Sequence, residues 1–190
     1  MLMDSKFTHL SPNGDPTMVD VSIKKISQRV AVAFSKVKLN EAIVNQLQQD
    51  EIHTKKVPVF QTAILAGIMG SKKTSELIPL CHPIGLDNCS VEIKVNSKKE
   101  VEIYCTAKVN GKTGVEMEAL TGASIAALTI YDMCKGFSHD IEIVEDYDSK
   151  ILFNQDKYNS EILDTELELG PVFFTPGSNL NMAVNISKLD

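Results

Sequence analysis

Apolar residues recur at every second position in Val30, Val32 and Phe34, with Arg29, Ala31 and Ala33 between them, which predicts a half-buried strand over 28–35. Asn40 suits a helix cap, and Ile43 and Leu47, with the Ala42 and Gln46 side, form a helical stripe that predicts a helix ending near Asp50. A second helix is expected from Pro58, a good first-turn residue, because Phe60, Ile64, Leu65 and Ile68 follow at helical spacing. It must end before the segment 77–83, where Pro79 and Pro83 rule out both regular helix and central strand. Two alternating runs come next: Cys89, Val91, Ile93, Val95, then Val101, Ile103, Cys105, Ala107, Val109. Separated by Ser97, Lys98, Lys99 and Glu100, they predict a hairpin. After a loop at 110–114, the longest helical pattern covers 115–135, with Gly136 placed as a stop, and Ile141 and Ile143 mark a last strand over 140–145.

The order strand, helices, strand, strand, helix, strand predicts an α+β, ferredoxin-like split βαβ fold, its antiparallel sheet covered by helices on one face. No repeat is visible at 20–50-residue spacing. Beyond 145 the pattern degrades. Ile151-Leu152-Phe153 and Val172-Phe173-Phe174 are short, and Pro171, Pro176 and Gly177 interrupt, so 1–145 reads as the domain and 146–190 as an irregular or peripherally packed extension.

At 190 residues and 43% hydrophobic, the chain can bury about 70% of its unfolded surface, which excludes wholesale disorder, collagen and a disulfide miniprotein. The most apolar stretches, 57–70 and 119–134, are broken by Gln61, Gly67, Gly122, Tyr131 and Asp132, short of the roughly 20 residues that cross a bilayer. Residues 1–10 lack an apolar signal region, so a reducing cytoplasm and free thiols at Cys81, Cys89, Cys105 and Cys134 are expected. Charge matters mainly through its distribution: residues 1–144 carry 16 acidic and 16 basic side chains, whereas 145–190 carry nine acidic and three basic. With Arg29 as the single arginine and no Trp, a nucleic-acid surface is not expected.

Gly111-Lys112-Thr113 lies between strand and helix, as a phosphate loop would. The first glycine of that motif should be five residues earlier, where Thr106 stands, so a strand-to-helix connection is favoured, with helix-start amides and Lys112 still able to face a phosphate. Cys81-His82 lacks the ligand spacing of a metal site, and no metal is expected. His82, held between two prolines, is a ligand-contact candidate against the alternative of a structural histidine. Glu116 and Glu118 suit the dipole at the start of a helix, but Asp132 in the last turn does not. Lys135, three residues on, can hold its carboxylate ionised or relay a proton, and a surface ion pair is the commoner meaning of such spacing.

Met18-Val19-Asp20-Val21, the run Lys73-Thr74-Ser75-Glu76-Leu77-Ile78-Pro79-Leu80-Cys81-His82-Pro83, and Gly111-Lys112-Thr113-Gly114-Val115-Glu116-Met117-Glu118-Ala119-Leu120-Thr121 continuing to Asp132-Met133-Cys134-Lys135 resemble the molybdenum cofactor biosynthesis protein C family, the cyclic pyranopterin monophosphate synthases. The resemblance covers about residues 7–145. It implies a lyase that rearranges the cyclised dihydro-GTP intermediate to cyclic pyranopterin monophosphate with release of pyrophosphate. It also implies a homohexamer, a trimer of dimers, with active sites at subunit interfaces, and neither nucleic acid nor membrane as partner. By motif position it implies catalytic roles for Asp132, Lys56 and Lys135, and substrate binding by Leu80, Cys81, His82, Met117, Glu118, Glu116, Arg29 and Lys24. No cofactor is required, although Mg²⁺ can accompany the triphosphate. Two departures stand out: no Gly- and Lys-rich loop follows Glu145, and Lys56 precedes Val57-Pro58 where the family more often has a Gly-Asp pair. The alternative they raise is a catalytically impaired hexameric relative that binds or scaffolds.

Overall fold

The computed structural model describes residues 9–11, 13–48, 51–53, 57–144, 150–155 and 167–168, the last two segments as backbone. Its elements run β1 (Ser27–Lys38), α1 (Glu41–Val44), β2 (Leu47–Gln48), β3 (Glu51–Ile52), α2 (Val59–Lys72), α3 (Thr74–Leu77), β4 (Asn88–Val95), β5 (Glu100–Gly111), α4 (Glu116–Cys134), β6 (Glu142–Val144), β7 (Lys150–Gln155) and β8 (Leu167–Glu168). β1 lies between β5 and β6, and β4 flanks β5; all these pairings are antiparallel, and α2 and α4 cover one face. This is the expected ferredoxin-like arrangement.

The alternation in β1 correctly gives a strand, but its buried face is the small-residue one. Ala31, Ala33 and Val37 are buried, whereas Val30, Val32 and Phe34 lie on the half-exposed outer face, where the Phe34 and Tyr104 ring centroids are 4.9 Å apart. The cause is α4, whose backbone comes so close that the Ser35 hydroxyl donates to the Ala123 carbonyl at 3.0 Å. Only small side chains fit beneath it. β5 turns Val101, Ile103, Cys105, Ala107 and Val109 to the same core, as the alternation predicts. Asn96 closes the β4–β5 hairpin: its Oδ1 accepts from the Lys98 and Glu100 amides at 2.9 and 3.0 Å, and Lys99 takes the left-handed conformation, φ 66°.

The helix expected from Asn40 to Asp50 is one turn long. Asn40 does cap it, accepting from the Ile43 amide at 3.0 Å, but the chain leaves at Asn45 and folds back as the β2–β3 ribbon. Glu51 explains the reversal. Pro58 offers no side chain to cap α2, and the Glu51 carboxylate accepts from the Phe60 and Gln61 amides at 2.8 and 3.1 Å, satisfying two orphan donors where the helix dipole favours negative charge. A helix continued through 50 could not present Glu51 there. α4 stops before Gly136, as expected, and does so without a left-handed φ at that residue: the helix ends at Cys134 with an ordinary turn in which the Phe137 amide donates to the Cys134 carbonyl.

α2 and α4 pack antiparallel through glycine. A Cβ on Gly67 would stand 2.8 Å from the Gly122 carbonyl oxygen, and one on Gly70 would stand 2.8 Å from Ile125 Cγ1. Ser71, buried in the same seam, donates to the Glu118 carbonyl at 2.8 Å.

The extension is not wholly irregular. β7 pairs with β1 beyond β6, Arg29–Val32 lying opposite Leu152–Gln155, so the edge of β1 is shared between two strands. Seven residues separate Val144 from Leu152, while three separate their partners Lys36 and Val32. The rest of the acidic extension, apart from β8, lies outside the described residues.

Gly67→Ala should destabilise the fold by about 2–3 kcal/mol, because neither the carbonyl it meets nor its own helix can withdraw. Gly136→Ala, with open space around its Cβ position, should be neutral or slightly stabilising. Urea midpoints of the two variants check the contrast, and equal shifts would refute the seam as the limiting contact.

Candidate active site

The three sequence blocks at 18–21, 73–83 and 111–118 meet at the N-terminal end of α4. His82, held by the proline loop, places its Nε2 2.8 Å from the Val19 carbonyl, and the Lys112 ammonium donates to the Ser22 carbonyl at 2.7 Å. Both tie the N-terminal segment over the start of α4. Asp20 Oδ1 accepts from the Ser22 amide at 2.8 Å, and that bond, helped by Lys112, holds its carboxyl below the usual range. Lys112 is thereby engaged with the segment rather than turned to open space.

Beneath this segment, Ser27 and Arg29 occupy inward positions of β1, opposite Gly111 and Val109. Ser27 Oγ and Arg29 Nε are buried without a hydrogen-bond partner among the described residues, which marks a place where a polar ligand would satisfy the protein. Glu116 lies within the field of Arg29, and Cys81 within that of Glu118. Burial raises the Cys81 thiol, with Glu118 adding to the shift, so Cys81 is no thiolate nucleophile. Leu80 and Met117 are partly buried, and Lys24 is exposed in a turn whose amide donates to the Val21 carbonyl.

Asp132 and Lys135 are elsewhere. Glu116 and Asp132 are sixteen positions apart on one helix, about 24 Å along its axis. Lys135 Nζ meets Asp132 Oδ1 at 2.6 Å, and both side chains are at least half exposed. Hydrogen bonding to Asp132 raises Lys135, so the lysine stays an ammonium. Lys56 lies outside the described residues. Its neighbours Val57 and Pro58 precede α2, whose antiparallel packing sets that end beside the Asp132 end of α4. One chain therefore holds two separate clusters, one at each end of α4.

Glu118 is where the sequence reading needs correction. Its place in the first turn suggests stabilisation by the dipole, yet it is 3% exposed, and burial, reinforced by Glu116, pushes its carboxyl up to about 7. Desolvation wins over the dipole here. The periodic signal was present: Glu118 shares a helix face with the buried Gly122 and Ala126. Ser71 and Glu51, which fix the seam and the start of α2, carried no motif and were missed. No group of three or more His, Cys, Asp or Glu side chains among the described residues is arranged to hold a metal, and no helix among them is long and apolar enough to cross a membrane.

A carboxyl whose folded value lies above its ordinary value of 4.5 contributes stability that is complete below that value and is lost as pH rises through about 7. Between pH ~5 and ~8, the wild type should therefore lose about 2–3 kcal/mol relative to Glu118→Gln. Urea unfolding across this window measures the difference, and parallel profiles would show that Glu118 is not buried as described.

Residues 18–147 match the model of the MoaC family. A cyclic pyranopterin monophosphate synthase of Xanthomonas oryzae pv. oryzae is 48% identical over 139 residues, 73% of this chain and 84% of the relative. One of Clostridium perfringens is 49% identical over 134 residues, 70% of this chain and 84% of the relative. A molybdenum cofactor biosynthesis bifunctional protein of Synechocystis is 50% identical over 141 residues, 72% of this chain and 41% of that longer protein. The matched span runs from the segment under His82 to the edge strand beside β1, so both clusters at the ends of α4 lie within it, and the chain belongs to the MoaC family.

Proposed function

We propose that this chain is a cyclic pyranopterin monophosphate synthase, a lyase of molybdenum cofactor biosynthesis that converts the cyclised dihydro-GTP intermediate to cyclic pyranopterin monophosphate and releases pyrophosphate. The observation that carries the reading is the convergence of the family's sequence blocks at the start of α4, close to which Arg29 Nε and Ser27 Oγ are buried and unpartnered among the described residues. A triphosphate fits that deficit. Arg29, Lys24 and His82 supply the positive and donor groups that hold it and offset charge developing on the leaving pyrophosphate. Leu80, Cys81 and Met117 line the purine end, and Glu116 and Glu118 accept from its amide and amine groups. The raised Glu118 carboxyl can also donate.

Opening one ring and closing another needs several proton transfers, each worth roughly 10²–10⁴ in rate when a group is positioned for it. Asp132, Lys135 and Lys56 are assigned that work. Asp132 Oδ1 takes a proton from the substrate, and the Lys135 ammonium 2.6 Å away supplies one in return. Because about 24 Å of helix separates this group from the triphosphate pocket, a complete site needs the Asp132 end of one subunit against the Glu118 end of another. A hexamer built as a trimer of dimers supplies that contact. The exposed Leu65, Met69 and Leu128 on the outer side of the helix pair are apolar surface suited to it. No resident cofactor is needed, and Mg²⁺ arrives as part of the triphosphate substrate. Residues 1–145 form the synthase unit, working in the cytoplasm, and 146–190 form an acidic extension that lends β7 to the sheet.

Purified protein given the cyclised dihydro-GTP intermediate should release pyrophosphate, and Asp132→Asn should lower kcat by about 10²–10⁴. No release from correctly assembled wild type would sink the proposal. Subunit sharing has its own test: Asp132→Asn and Glu118→Gln, each inactive alone, should recover about a quarter of wild-type activity when unfolded together and reassembled in equal amounts. Activity no higher than that of the separate variants would refute a site shared between subunits.

A further inference from the structure

One carboxylate fastens both ends of the segment that contains Lys56. On the N-terminal side Glu51 Oε1 accepts from the Ile52 amide at 2.8 Å; on the C-terminal side it accepts from the Phe60 amide at 2.8 Å, and Oε2 accepts from the Gln61 amide at 3.1 Å. An antiparallel bridge between His53 and Pro58 ties the same two sides by backbone, with residues 54–57 between the bridge partners in sequence. Lys56 is one of those residues.

Phe60 and Gln61 are the second and third residues of α2, whose amides a side chain at the cap position ordinarily takes. Pro58 stands at that position and makes no such bond. Glu51 takes both amides from across the loop, so capping the helix and closing the loop are a single interaction. Its own backbone is held from behind: Glu51 pairs with Gln48 in the β2–β3 ribbon, and the next residue, Ile52, is fully buried. The Glu51 charge also reaches the thiol of Cys134, which lies between Asp132 and Lys135 in the sequence of α4. The clamp therefore joins β3 and the start of α2 beside the end of α4 that carries the ion pair.

We propose that Glu51 is a positioning residue: by holding the chain on both sides of Lys56, it sets where that lysine stands relative to Asp132 and Lys135. The inference rests on the catalytic role proposed for Lys56, and Glu51 itself touches no substrate. A lysine has a flexible four-carbon stem, so the backbone beneath it must be fixed if its ammonium is to meet the same atom in every turnover. Bonds accepted by a carboxylate are about twice as strong as neutral ones, which suits Glu51 to that task. A displacement of about 1 Å at a reacting group can cost about 10²-fold in rate.

Three measurements on the full chain separate this role from plain helix capping. Trypsin should cleave after Lys55 and Lys56 about tenfold faster in Glu51→Ala than in wild type, with cleavage after Lys94, inside β4, unchanged. Cleavage needs no catalysis, so equal rates would overturn the clamp, whereas a wild type that releases no pyrophosphate would sink the proposed reaction alone. In the pyrophosphate assay Glu51→Ala should lower kcat about 10–100-fold and leave KM within about twofold. Added to Lys56→Ala, it should cause no further loss, since its effect passes through that lysine; losses that multiply would overturn the proposal. Pro58→Asp, made in the Glu51→Ala background, offers a local cap to the same amides. It should recover the urea midpoint but neither kcat nor resistance to trypsin, and recovery of all three would make Glu51 a helix cap and nothing more. If Glu51→Ala does not fold, Glu51→Gln, which keeps one acceptor oxygen, should show smaller changes in the same directions.

Discussion

The approach of Gly67 to Gly122 fixes how far apart α2 and α4 can be, and the rest of the domain is built to that distance. Two helices in backbone contact leave no room for large side chains between them or beneath them. The core accordingly has Ala63, Ala119, Ala123 and Ala126 on the helices and Ala31, Ala33, Cys105 and Ala107 on the central strands. Glycine within a helix costs about 0.5–1 kcal/mol relative to alanine, a cost that close packing and the hydrogen bonds it permits must offset. Ser71 shows how. Its short side chain spans the seam to the Glu118 carbonyl, a reach that exists only because the helices are so near.

α4 then acts as a rigid spacer with unlike ends. At its start, burial outweighs the helix dipole and raises the Glu118 carboxyl to about 7, and the neighbouring Glu116 lies in the field of an arginine with an unsatisfied buried nitrogen. At its end, Asp132 stands where the dipole disfavours a carboxylate, and Lys135 compensates. An exposed ion pair of this kind contributes little, too little for stability to account for a charge on the wrong end of a helix.

The elements that sequence patterning identified were those with enough repeats of a period: β1, the hairpin, α2 and α4. What it misjudged were decisions made by contacts distant in sequence. Val30, Val32 and Phe34 outrank Ala31 and Ala33 on any hydrophobic scale, yet the alanines are buried because α4 leaves room for nothing larger. The stripe through Ile43 and Leu47 was helical in pattern, but Glu51 was needed at the start of α2, and that requirement ended the helix after one turn. Asp132 was legible as an anomaly of charge, whereas the burial of Glu118 was hidden behind an adequate local explanation. The separation of the two clusters could have been reckoned from the length of the predicted helix alone. Assigning the residues to roles required the family's motifs.

The sheet also has to keep its margins from finding the wrong partners. β4, the outer strand on one side, presents Glu92 and Lys94 at its surface, charges that discourage another chain from adding to it. On the other side, β6 covers only Lys36–Lys38, and the backbone from Arg29 to Val32 is paired by β7. During synthesis that stretch of β1 is complete more than a hundred residues before its partner is made. A nascent or truncated chain ending before 150 would expose an open strand edge with Val30 and Val32 along it, a template for edge-to-edge aggregation. Whatever else the extension does, its first strand guards the sheet against self-association.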